Sequence, residues 1–112
     1  MINKVSDEFK LIVTIVRKNL SRRVVKAVKK AGAEGGTILY GRGSGADEDS
    51  FLGIKFEPEK DIILCLVPKE IVDNTIQKIK AAARLERADT GIAFVINSSN
   101  VIGIAHLLKK DF

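Results

Sequence analysis

The sequence has no tryptophan, one tyrosine, one cysteine, one histidine and two prolines in 112 residues. Each shortage removes a class of protein. Aromatic residues make up 5% of the chain, too thin a supply to stack successive bases on a sheet, so nucleic acid is not expected as a partner. The single Cys65 cannot form an internal disulfide or a cysteine-based metal site. It lies inside the apolar run Lys60–Val67, where a buried, inert thiol is expected. His106 is the sole histidine and has no sequence neighbour suited to be its partner in catalysis or metal binding. No Ser-His-Asp, HExxH or Walker pattern is present. No apolar run is long enough to span a membrane, and Met1–Lys10 has no apolar signal core. Together with the lone thiol, this predicts a cytoplasmic protein without membrane insertion.

What is present suits one compact domain over residues 1–112. Hydrophobic residues make up 46%, enough for a core without disulfide or metal. The net charge is +5 and the pI is near 9.5, so an anionic ligand or surface would be attracted.

Residues 1–8 are polar and expected to be loose. Phe9–Val16 is β-branched and too short for a helix, which predicts a buried strand. Asn19 or Ser21 can cap a helix whose apolar face is Leu20, Val24, Val25, Val28 and Ala31, ending at Gly32. Gly36–Arg42 reads as a second strand. Gly43–Ser50 is a polar loop, and Phe51–Phe56 is a strand or loop stem. Lys60–Val67 is another buried strand, and Pro68 can open a second helix. That helix presents Ile71, Val72, Thr75, Ile76, Ile79 and Ala82 and runs to about Leu85. Gly91–Ile96 is the last main strand, and Val101–Leu108 can add an edge strand.

The order is strand–helix–strand, a loop, then strand–helix–strand. This predicts an α+β, ferredoxin-like (βαβ-βαβ) fold, with a four-stranded antiparallel sheet and two helices on one face. An internal repeat supports it. A shift of 51 residues lays Leu11–Val16 on Ile62–Val67 and sets Leu20, Val25, Val28 and Ala31 on Ile71, Ile76, Ile79 and Ala82. Two helices cover one face of the sheet. The other face carries alternating apolar residues, so self-association is expected.

Chemistry has few places to sit. Asp47, Glu48 and Asp49 are consecutive, and three consecutive acids cannot all face one cation in an extended chain. A small hydrolase on this fold would need a phosphate-cradling loop after the first strand, but Arg17-Lys18-Asn19-Leu20-Ser21 carries no glycine. Gly41-Arg42-Gly43-Ser44-Gly45 stands apart. Its glycines let backbone N–H groups approach an anion, Arg42 adds a guanidinium and Ser44 a hydroxyl. The same glycines would equally serve a plain flexible hairpin.

Over roughly Phe9–Leu108 the chain resembles the PII signal-transduction family. Lys10–Val16 is similar to that family's first strand. Ala31-Gly32-Ala33-Glu34-Gly35-Gly36-Thr37 is similar to its helix end and Gly-x-Thr turn. Gly43-Ser44-Gly45 matches the Gly-x-Gly at the base of its signalling loop, the T-loop. Thr90-Gly91-Ile92-Ala93-Phe94-Val95 resembles its last glycine turn and strand. The resemblance implies a regulatory protein rather than an enzyme. It implies a homotrimer that binds an adenine nucleotide (ATP, ADP or AMP) between subunits and regulates a transporter or metabolic enzyme in nitrogen or carbon metabolism. It sets Thr37 near the adenine, and Gly43, Gly45 and Gly91 near the phosphates, with Arg42 and Ser44 beside them. The chain departs from the pattern in three places. The loop at 43–50 is a shortened T-loop. Asp89-Thr90-Gly91-Ile92 lacks the family's phosphate-binding lysine. Gly103 and Ala105 fall where the family has Arg-x-Arg. Arg42, Lys18 or a basic residue of a neighbouring subunit are the candidates to compensate. A ligand-independent interaction module on the same fold is the alternative that these losses leave open.

Overall fold

The computed structural model describes residues 8–33, 36–42, 50–51, 54–55, 59–87, 90–99 and 101–103. Its main elements are β1 (Phe9–Arg17), α1 (Ser21–Lys30), β2 (Thr37–Arg42), β3 (Ser50–Phe51), β4 (Ile54–Lys55), β5 (Glu59–Pro68), α2 (Val72–Ala83) and β6 (Gly91–Asn97). Short 3₁₀ turns, Lys18–Leu20 and Lys69–Ile71, lead into the two helices. The main sheet has the order β2-β5-β1-β6, with every neighbouring pair antiparallel. This is the expected split βαβ arrangement, in which each crossover helix leaves room for a strand of the other half.

The internal repeat has a geometric counterpart. Val13 and Leu64, equivalent under the 51-residue shift, are direct partners between β1 and β5. A local two-fold relating the halves therefore passes between them. On the helix-covered side, the shift superposes Ile12, Thr14 and Val16 on Ile63, Cys65 and Val67, and all six are buried. From the helices, Val24 and Val28 match Thr75 and Ile79 in sequence and in burial. Ala33 and Ala83 close the same cluster. Burying each large aliphatic side chain here is worth about 1.5–3 kcal/mol, which is what holds the helices on the sheet.

The helix ends follow from local chemistry. After α1, Gly32 sits at φ +108. Its N–H donates to the Lys29 carbonyl, and that of Ala33 donates to Val28, the paired bonds of a Schellman motif. The start differs from expectation. Ser21 is the first helical residue, preceded by Leu20, and its hydroxyl donates to the Lys18 carbonyl at 3.1 Å. The 3₁₀ turn consumes the position where Asn19 or Ser21 would have capped. Pro68 ends β5, because its fixed φ also suits an extended strand. α2 ends on Arg84, a non-glycine residue in the left-handed region at φ 53. Within the expected stem 51–56, Ser50–Phe51 and Ile54–Lys55 pair as a small separate hairpin. Residues 101–103 are not in a strand, and 104–108 lie outside the described residues, as do 1–7 and 43–49.

Among the described residues, both helices lie on one face of the sheet and none covers the second. Alternation and register place Leu11, Val13 and Ile15 of β1 there, beside Ile62, Leu64 and Leu66 of β5. Leu39 of β2 and Ile92, Phe94 and Ile96 of β6 complete it. These last four are exposed, at 46, 56, 40 and 46%.

Candidate functional site

Tyr40, Asp61, Val16 and Gly91 form one row across the four strands. Beyond this row lies the end of the sheet where β2 ends at Arg42 and where Thr90–Gly91 opens β6. The end of β2 at Gly41–Arg42 and the start of β6 at Gly91 therefore lie at the same end of the sheet. They leave from opposite edges, however. Three strand spacings separate β2 from β6, about 14 Å.

At the β2 edge, Lys18, Tyr40, Gly41 and Glu59 line a cleft of about 410 Å³. Gly41 and Arg42 belong to the strand itself, opposite Lys60 and Glu59. Lys18 reaches Glu59 across the cleft, with Nζ 3.5 Å from Oε2. Both side chains are more than half exposed, so this ion pair adds little to stability, and an anion could compete for Lys18. Thr37 lies three residues up the same edge, about 10 Å from Tyr40, and is exposed. Gly43, Ser44 and Gly45 fall outside the described residues.

At the β6 edge, Gly91 and Ile92 line a second concavity of about 360 Å³ with Ile76, Lys80, Leu85, Glu86 and Ala93. Gly91 adopts φ +154 and is pressed on the β1 backbone: an added Cβ would overlap the Ile15 carbonyl oxygen and lie 2.8 Å from Val16 Cγ1. Thr90 anchors the turn before it, its hydroxyl donating to the carbonyls of Arg84 at 3.0 Å and Arg87 at 3.3 Å. Lys80 supplies a cation to this concavity from α2, next to the turn where the sequence lacks a lysine.

Sequence reasoning missed Tyr40, Glu59, Lys80 and Asp61. Tyr40 was visible only as a strand residue. Lys80 belongs to a helix whose apolar face drew the reading. Asp61 is 2% exposed, and its Oδ1 has no hydrogen-bond partner, nor has Thr14 Oγ1 nearby on the same buried side. An acid at the head of the apolar run Asp61–Val67 was the available signal. Cys65 is buried as expected, and burial pushes its thiol above the ordinary value of 9.0. Among the described residues no group of three or more His, Cys, Asp or Glu could hold a metal ion. Asp47, Glu48, Asp49 and His106 are not among those residues. No described helix is long and apolar enough to cross a membrane.

A family model, "Nitrogen regulatory protein P-II", matches residues 9–106. Among solved structures, the chain is similar to that of Arabidopsis thaliana PII bound to citrate. The two are 28% identical, with a TM-score of 0.70 over 88% of this chain and 84% of the plant chain. No curated protein matches the sequence.

Proposed function

Given that the chain belongs to the nitrogen regulatory protein P-II family, we propose that it is a cytoplasmic homotrimer, without enzymatic activity, that senses a small anion and regulates a partner protein. An adenine nucleotide is the first ligand to consider, and nitrogen or carbon metabolism the setting. The observation that carries this reading is the pairing of an uncovered apolar sheet face with two half-sites at opposite edges. Leu39, Ile92, Phe94 and Ile96 need cover. If copies associate through this face, the β2 edge of one can meet the β6 edge of another. The Lys18–Tyr40 cleft and the Gly91–Lys80 concavity then become parts of one site between subunits. A site about 14 Å wide within one chain is too dispersed for a single phosphate group.

The charges fit an anion even where the family's own are missing. Lys18 serves the β2 edge, the strand that ends at Arg42. Lys80 stands beside Gly91, where Ile92 replaces the family's lysine. The similar plant protein is bound to citrate, a tricarboxylate, which supports testing carboxylates as well as nucleotides.

Calorimetry of the purified oligomer with ATP, ADP, AMP and citrate tests the ligand, and sedimentation tests the trimer. Saturable binding to at least one anion, lost in Lys18→Ala or Lys80→Ala, is expected. A trimer that binds none of the four would leave the ligand-independent interaction module. A monomer at micromolar concentration would overturn the assembly and the shared site together.

A further inference from the structure

The outer surface of the two helices carries a feature that the ligand site does not use. Arg23, Lys26 and Lys30 of α1 face Lys78 of α2 and Arg84 at its end across an open groove of about 470 Å³. The groove is floored by Ala27, Ala81 and Ala82. Among the described residues no carboxylate lines it, and none of the five cations is in an ion pair with a described residue.

Two placements run against local stability. α1 has no acid in its first turn but carries Arg22 and Arg23 there, at the positive end of the helix dipole. α2, by contrast, has Asp73 in its first turn. Arg84 holds a left-handed conformation at φ 53, a position that glycine fills more cheaply. Of these residues, Arg23 and Arg84 line the groove.

The geometry points to this groove as the docking site for an extended, acidic segment of a partner protein. The α1 rim places Arg23, Lys26 and Lys30 over seven residues of helix, about 10 Å. An extended peptide sends successive side chains to opposite sides, with same-side neighbours about 7 Å apart. Alternate carboxylates therefore reach the α1 rim on one side and the Lys78–Arg84 rim on the other. The alanine floor leaves room for the peptide backbone. Among the described residues the groove is lined by no aromatic on which a base could stack, and by no large apolar residue that could enter a bilayer. The surface lies opposite the apolar sheet face, so self-association leaves it open. The inference rests on the reading that this chain acts on a partner protein, and it assigns that contact to the helices rather than to the shortened loop.

The test is fluorescence anisotropy on the full chain with a labelled peptide of about ten residues, a run of consecutive Glu and Asp that presents carboxylates to both sides of an extended strand. Labelled duplex DNA and phosphatidylserine vesicles are run in parallel. Saturable peptide binding is expected at about 50 mM salt, weakening at least roughly tenfold by about 300 mM. Arg23→Glu/Lys78→Glu should weaken it at least roughly tenfold, while Lys69→Glu/Arg87→Glu, equal in net charge, should change it less than about threefold. Circular dichroism and sedimentation confirm that both variants fold and assemble as the parent does. No peptide binding, equal loss in the two double variants, or tighter groove-dependent binding of DNA or vesicles would overturn the proposal. The nucleotide and citrate titrations use other residues, so the ligand reading fails or stands separately.

Discussion

Gly91→Ala should destabilise the ligand-free protein by about 3 kcal/mol, and the sum can be built from two terms. The backbone at φ +154 is a region that L-residues rarely occupy, which costs on the order of 1–3 kcal/mol. The new methyl would overlap the Ile15 carbonyl and crowd Val16, and overpacking of this kind costs about 1–3 kcal/mol. β6 is an edge strand and can move away. It would then surrender pairing around Val16↔Gly91 and the Arg17 N–H bond to the Thr90 carbonyl, at about 1 kcal/mol per bond. Relaxation therefore lowers the cost without abolishing it. Gly103→Ala is the internal control. Gly103 also has a positive φ, +88, but an added Cβ meets nothing within 4 Å, so only the backbone term applies. Urea unfolding at one fixed protomer concentration measures both variants, since association adds to apparent stability. If Gly91→Ala costs no more than Gly103→Ala, the contact with β1 is not what requires glycine, and Gly91 would be left with a ligand role alone.

Phe94→Glu should convert the oligomer to a folded monomer in sedimentation, because it places a charge amid Leu11, Val13 and Ile96; an unchanged mass would place the interface elsewhere. Thr14→Val removes a buried hydroxyl that has no partner and nearly preserves shape, so it should stabilise by about 1 kcal/mol in thermal or urea unfolding. A loss of stability instead would show that the Thr14 hydroxyl is satisfied in solution. Cys65, 1% exposed, should resist a thiol reagent in the native state and react fully only on unfolding. Its raised ionisation has a sign to check. The thiol's contribution to stability is fully present below the unfolded value near 9.0 and is lost as pH rises through the higher folded value, because the unfolded chain ionises first. Cys65→Ala should therefore flatten the stability profile on the alkaline side.

The fold was legible because burial is periodic within the chain. Ile12, Thr14 and Val16 repeat as Ile63, Cys65 and Val67, and a spacing of 51 matched their helices as well. That spacing could not reveal that Val13 and Leu64 are direct cross-strand partners, since pairing depends on where the strands meet in space. Helix starts were less legible. A serine near a helix N-terminus reads as a cap, and only the 3₁₀ turn Lys18–Leu20 moved Ser21 inside the helix. The site was legible in part. Gly91 stood out by residue type, but the contact that requires it involves the Ile15 carbonyl, which any residue would provide. Tyr40, Glu59 and Lys80 carry no motif, and strand order alone brings them near the glycine segments.

The two sides of this small sheet have different chemical work. Its free side is aliphatic and nearly free of charge, a surface that water disfavours and that a second copy of the same chain can match. Its helical side ends in five cations around an alanine floor. A second copy could not cover that side without bringing like charges together, at a cost of several kcal/mol. On the proposed reading, charge directs self-association to the sheet and leaves the helices for something acidic. The proposed docking of an acidic segment in the basic groove draws only on helix residues, so it needs nothing from residues 43–49.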